Sequence, residues 1–116
     1  MNIEQIDGLI EDLKASKTYD QTMYFNECGS PACIAGHILA RNGYQYDSEV
    51  RNRIDEIAME LLGLPLEEAD ELFESRPYYS QGIHDYEPTV DDAIATLEHL
   101  KKTGEVFWFL PEGFEE

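Results

Sequence analysis

Basic residues are scarce in this chain. Eight Lys and Arg stand against 25 Asp and Glu in 116 residues, a formal charge of −17. Phosphate contacts need clustered Lys and Arg, so this balance argues strongly against direct nucleic-acid binding. Adsorption to an anionic membrane surface fails for the same reason. Long apolar runs are missing too, and none approaches the roughly 18 residues of a spanning helix. The first residues, Met1-Asn2-Ile3-Glu4-Gln5, show neither a basic n-region nor an apolar h-region. No secretory signal is therefore expected, and a cytoplasmic location is. Cysteine is limited to Cys28 and Cys33. In a reducing cytosol both are expected as free thiols, and a bridge between them would close too short a loop to stabilise much. No stretch has the alternating ligands and central Gly of a Ca²⁺ loop, and no cofactor is expected.

What is present suffices for a core. The hydrophobic fraction is 42%, with 7 Tyr, 5 Phe and 1 Trp, whereas a disordered acidic chain has few aromatics. The length fits one domain, taken as residues 1–110 with an acidic tail at 111–116. The expected fold is mostly α: about five helices around a buried central one, with room for a small two-stranded ribbon. Ile3, Ile6, Leu9, Ile10 and Leu13 recur at helical spacing and predict a helix over 2–16. Ser30 as cap and Pro31 at the first helical position predict a second helix over 31–42. Ala32 to Ala40 carries no charge if His37 is neutral, which marks this helix as the central one. Gly36 costs it propensity, and close approach of another backbone is the expected return. A third helix is expected from Asp47-Ser48 to Leu62, a short one over 66–73, and a last one from Thr89, where Asp92 completes a capping box. Gly43, Gly63 and Gly104 are placed to end helices. Residues 75–88 read as a long loop. The aromatic stretches 23–25 and 106–110 are the two candidates for the ribbon.

The most specific string is Cys28-Gly29-Ser30-Pro31-Ala32-Cys33-Ile34-Ala35-Gly36-His37. It admits three readings. As a metal site, Cys33 and His37 share a helix face at i, i+4, and Cys28 supplies a third ligand. A structural zinc site needs four, so His84, His99 or a carboxylate would complete it. As a nucleophilic site, Cys28 precedes a helix N-terminus that lowers a thiol pKa, and His37 is a base for Cys33. No evident oxyanion hole accompanies it. As structure, the cysteines are small buried hydrophobes, His37 is a hydrogen-bonded core residue, and Gly29-Ser30-Pro31 is turn and cap chemistry. The structural reading is preferred. No catalytic or metal residue is assigned, with Cys28, Cys33, His37 and His84 as the alternative set.

This string resembles the Cys-Gly-Thr-x-x-Cys-x-Ala-Gly-Trp/His signature of a group of small phage, prophage and bacterial proteins, with Ser30 where Thr is common. Two further stretches are similar to that group. One is Ala58 to Leu64 followed by Ala69 to Phe73, and the other is Thr89 to Ile94 through Leu97-Glu98-His99-Leu100 to Val106. The resemblance implies a helical domain and a phage or mobile-element origin. It implies no reaction.

The charge is uneven along the chain. Residues 1–58 hold 5 basic and 10 acidic residues, and residues 59–116 hold 3 and 15, a net −12. Such a field steers toward a basic partner. Acidity serving only solubility is the plain alternative. Glu67, Glu68, Asp70, Glu71 and Glu74 cluster on one short helix, and Arg76, Tyr78, Tyr79, Asp85, Tyr86 and Glu87 follow in the loop. Tyr and Arg are enriched at interface hot spots, so these eleven residues are the expected partner-binding set. The expected function is that of a non-enzymatic acidic binding protein of phage or prophage type. It would dock on the basic, nucleic-acid-binding surface of a host protein such as a defence nuclease, as a charge mimic and inhibitor. A Cys-dependent enzyme or small metal protein is the alternative. A homo-oligomer built on Phe107-Trp108-Phe109 is also open.

Overall fold

The computed structural model describes residues 1–26, 29–45, 47, 49–83 and 86–109. Its elements are α1 (Ile3–Ala15), α2 (Ile34–Arg41), α3 (Ile54–Leu62), α4 (Leu66–Leu72), a 3₁₀ turn (Tyr79–Gln81) and α5 (Val90–Thr103). The mostly-α, single-domain expectation holds. The radius of gyration is 13.4 Å, as expected for a folded domain of this length. Among the described residues no helix is long and apolar enough to cross a membrane.

Helix α1 begins where Asn2 accepts a hydrogen bond from the Gln5 amide at 3.2 Å, and it buries Ile6, Leu9, Ile10 and Leu13. It packs on α2 and α5, and α2 packs in turn on α3. Residues Ile34 to Leu39 are all buried, so α2 is the central helix. Its start is a correction to the sequence reading. Ser30 and Pro31 do not open it, because residues 23–26 run antiparallel to 30–33. Ala32 N–H donates to Tyr24 O at 3.0 Å, Cys33 N–H to Met23 O at 2.9 Å, and Asn26 N–H to Ser30 O at 2.9 Å. Pro31 faces Phe25 across an isolated bridge. It has no N–H to contribute, and its carbonyl accepts from Thr18 Oγ1 at 2.6 Å. The helix therefore waits until Ile34, where the Cys33 sulfur takes the cap position and accepts from Gly36 N–H at 3.5 Å.

Gly36 answers the expectation of a close backbone approach. A Cβ built there would lie 1.9 Å from the Tyr24 carbonyl oxygen. Residues 23–26 can lie against α2 only because this position is bare.

Helix α3 also starts later than expected. Asp47 accepts from the amides of Glu49 and Val50 at 3.0 and 2.9 Å. This side-chain capping makes a turn ahead of the helix, and regular helix begins at Ile54. The last helix follows expectation. Thr89 and Asp92 form a reciprocal capping box, and Lys101 and Lys102 occupy the last turn. Gly43, Gly63 and Gly104 all adopt positive φ.

No ribbon forms between 23–25 and 106–109. The backbone of the latter segment bonds to side chains instead. Val106 N–H donates to Glu68 Oε2 at 2.7 Å, Gln81 Nε2 donates to Trp108 O at 2.9 Å, and Tyr78 OH donates to Phe109 O at 2.9 Å. Val106 and Trp108 are buried, whereas Phe107 and Phe109 are each 48% exposed. The alternation is that of an extended chain laid over the helices.

Candidate functional site

The Cys33–His37 pair lies at the start of α2. Cys33 is buried, and burial pushes its thiol up to about 11. A nucleophilic or ligating cysteine needs the opposite shift. His37 is buried as well, and both ring nitrogens are engaged. Nδ1 lies 2.8 Å from the Cys33 carbonyl oxygen and Nε2 lies 2.8 Å from Ser16 Oγ. With Nδ1–H donating to the carbonyl, Nε2 accepts from the Ser16 hydroxyl. The ring thus ties the end of α1 to the start of α2, the role of a core histidine. Cys28 and His84 lie outside the described residues. Among the described residues no three His, Cys, Asp or Glu side chains converge as a metal cluster.

Burial holds the His37 pKa below its ordinary value, so the folded protein favours the neutral ring. The unfolded chain takes up a proton near pH 6.5. The stability from this group is therefore complete above about pH 6.5 and is lost as pH falls toward the depressed folded value. We expect the urea midpoint of the wild type to drop between about pH 7.5 and pH 5 relative to that of His37→Gln, which lacks the titration. Parallel midpoints across that range would refute the assignment.

The acidic face is built on α4. Ala69, Leu72 and Phe73 turn inward, and Glu67, Asp70, Glu71 and Glu74 are exposed. Glu68 is the exception on this helix, half-buried because its carboxylate holds the Val106 amide. The carbonyls at and just beyond the C-terminal end of α4, which have no partner within the helix, are taken by distant side chains. Trp108 Nε1 donates to Glu71 O at 2.9 Å, and Gln21 Nε2 donates to Leu72 O at 3.1 Å and Glu74 O at 3.0 Å. The end of α4 is thereby clamped between the 106–109 segment and the turn near Gln21.

The loop tyrosines separate into two kinds. Tyr78 is 1% exposed and is not a surface residue as the partner-binding set had it. Its ring stacks on Tyr86 with centroids 5.3 Å apart and meets Trp108 edge-on at 6.2 Å. Tyr86 is half-buried, and its hydroxyl donates to the Asp92 carboxylate. Burial and that carboxylate push the phenol up to about 12. Tyr79 is 43% exposed. The Arg76 guanidinium lies over its ring at 5.3 Å and pairs with Glu87 at 3.8 Å. The loop is thus pinned to the core by Tyr78, and Tyr79 is presented outward. Asp85 lies outside the described residues.

Two clefts flank the end of α4. One, of about 530 Å³, runs past Gln21, Met23, Tyr24, Cys33, Asp55 and Phe73. The other, of about 590 Å³, is lined by Arg76, Pro77, Tyr79 and Gln81 of the loop and by Val106, Phe107 and Trp108 of the extended segment. Asp70, Glu74 and Ser75 border both. Lys14, Arg41, Arg53, Arg76 and Lys101 each pair with a carboxylate, so much of the chain's positive charge is already engaged.

Fold and site together define a small helical domain with a buried Cys–His pair and an acidic face bordered by aromatic side chains. No family model, no curated protein and no solved structure matches the chain.

Proposed function

We propose that this is a non-enzymatic acidic binding protein. It docks its α4 face on the basic, nucleic-acid-binding surface of another protein and so competes with nucleic acid for that surface. One observation carries the reading. Glu67, Asp70 and Glu71 project from the seven-residue α4 and Glu74 from just beyond its end, all four exposed to solvent, in the half of the chain whose net charge is −12. A rigid display of carboxylates matches a surface evolved to hold phosphates, and long-range attraction raises the encounter rate. A cytoplasmic site of action and a phage-type role as inhibitor of a host nuclease go with this reading, the latter from the sequence resemblance.

The test is capture from a nuclease-treated bacterial lysate. At about 50 mM salt the protein is expected to retain a basic nucleic-acid-binding protein, to release it at several hundred millimolar, and to lose it to added duplex DNA. Neutralising the face with Glu67→Gln, Asp70→Asn, Glu71→Gln and Glu74→Gln is expected to weaken the purified complex about tenfold or more. A captured protein that binds the chain and DNA together, or no basic protein retained at low salt, would sink the proposal.

A further inference from the structure

We infer that the cleft between α4, the Tyr79 loop and the 106–109 segment is a docking groove for a short basic segment carrying one apolar anchor. This inference deepens the proposed docking of the acidic face and rests on it. The floor is apolar, formed by Val106, Trp108, Phe107 and Tyr79. Phe107 and Tyr79 are 48% and 43% exposed, and Phe109 joins them through a ring contact with Phe107 at 4.6 Å. Large apolar side chains gathered in one concave place are the usual mark of an interaction site. The cleft's volume of about 590 Å³ lies in the range of about 300–1,000 Å³ that holds a small ligand, and the anchor side chain of a bound segment fills less than that.

Charge complementarity selects the occupant. Asp70, Glu71 and Glu74 border the groove. The cation beside them, Arg76, is already paired with Glu87. A purely apolar ligand would strip water from these carboxylates with no return. A plain polycation would leave the aromatic floor wet. A second copy of this chain brings another −17 and is repelled. A segment of Lys or Arg around one Leu, Met or aromatic residue meets both surfaces. The Arg76 guanidinium over the Tyr79 ring, at 5.3 Å, shows within the fold the cation–π contact that an incoming Arg would make with the exposed rings.

Trp108, the only tryptophan in the chain, reports on the groove. The probe is a Trp-free synthetic peptide of about ten residues with four Lys or Arg flanking a central Leu, the length of a short docking segment. Titration is expected to give a saturable change in Trp108 emission that weakens with salt. Changing the peptide's Leu to Ser, or the protein's Phe107→Ser, is expected to weaken binding about tenfold. Glu71→Lys with Glu74→Lys is expected to abolish it. Phe107 is half in solvent, so Phe107→Ser should leave the thermal midpoint within a few degrees of the wild type. Equal affinity for the Leu and Ser peptides, no peptide binding into the millimolar range, or a stable dimer in light scattering that Phe107→Ser dissolves would each overturn the inference. The lysate capture separates the two readings. A basic partner held equally by wild type and Phe107→Ser leaves acidic docking standing without the groove. A peptide bound in the groove with no basic protein captured leaves the groove standing without nucleic-acid mimicry.

Discussion

Trp108→Ala is expected to lower the free energy of unfolding by about 4 kcal/mol, within the range for large-to-small changes at buried aromatics. The indole is 4% exposed. It meets the Tyr78 ring edge-on and donates to the Glu71 carbonyl at the end of α4. Truncation removes the apolar burial, leaves a void under the 106–109 segment and frees that carbonyl. The carbonyl is the smaller part of the loss, because the adjoining cleft admits water to replace the indole. A domain of this length is held by about 6–17 kcal/mol, so the variant should be folded but marginal. A urea titration followed by far-UV circular dichroism measures the difference, since the variant has no tryptophan to report. A loss below about 1 kcal/mol would mean that the segment is not packed as described. The consequence for function is direct. The same ring is core on one side and groove floor on the other, so Trp108→Ala cannot serve as the binding test and Phe107→Ser must.

The second large effect is expected at Gly36. Gly36→Ala should destabilise by about 3 kcal/mol, at the upper end of the usual cost of overpacking, even though alanine improves helix propensity by about 1 kcal/mol. The added Cβ would sit 1.9 Å from the Tyr24 carbonyl oxygen. That atom is backbone and is fixed by the Ala32 amide at 3.0 Å, so relief requires the whole 23–26 stretch to move off α2. Gly8 is the control. A Cβ there would meet the Arg41 guanidinium at about the same separation, 2.1 Å. The guanidinium is the far end of a flexible side chain and can swing away. It would give up its pair with Asp12 at 3.0 Å, an exposed contact worth at most about 1 kcal/mol. The helix propensity gained offsets that loss, so Gly8→Ala should be close to neutral. Thermal or urea unfolding of the two variants side by side checks this. Equal effects would show that propensity, not the Tyr24 contact, governs Gly36.

Local chemistry was readable wherever the competing options were also local. The apolar spacing of α1, the Thr89–Asp92 capping box and the glycines after α2, α3 and α5 depend on residues within a turn or two of one another, and the structure has them as read. The start of α2 was misread for the same reason in reverse. Ser30-Pro31 is a sound helix opening by itself, but residues 23–26 offer the amides of Ala32 and Cys33 better partners. The candidate site divides along the same line. Glu67, Asp70, Glu71 and Glu74 were legible as a solvent-facing row because the inward Ala69, Leu72 and Phe73 leave them nowhere else to point.

Tyr78 and Tyr79 are adjacent and chemically identical, and nothing nearby says which is core. Trp108 and Phe109, about thirty positions later, decide it by supplying an edge-on ring and a carbonyl to Tyr78. The groove itself follows from that meeting of distant segments. From its sequence, then, this protein is an acidic helical domain with its charge concentrated after residue 58, since charge and periodicity are properties of the chain. Which aromatic side chains close the core, and which line a cleft beside the carboxylates, are set only when the 106–109 segment lies down across α4 and the loop. Burial is a property of contacts between residues far apart in sequence, and no local pattern specifies them.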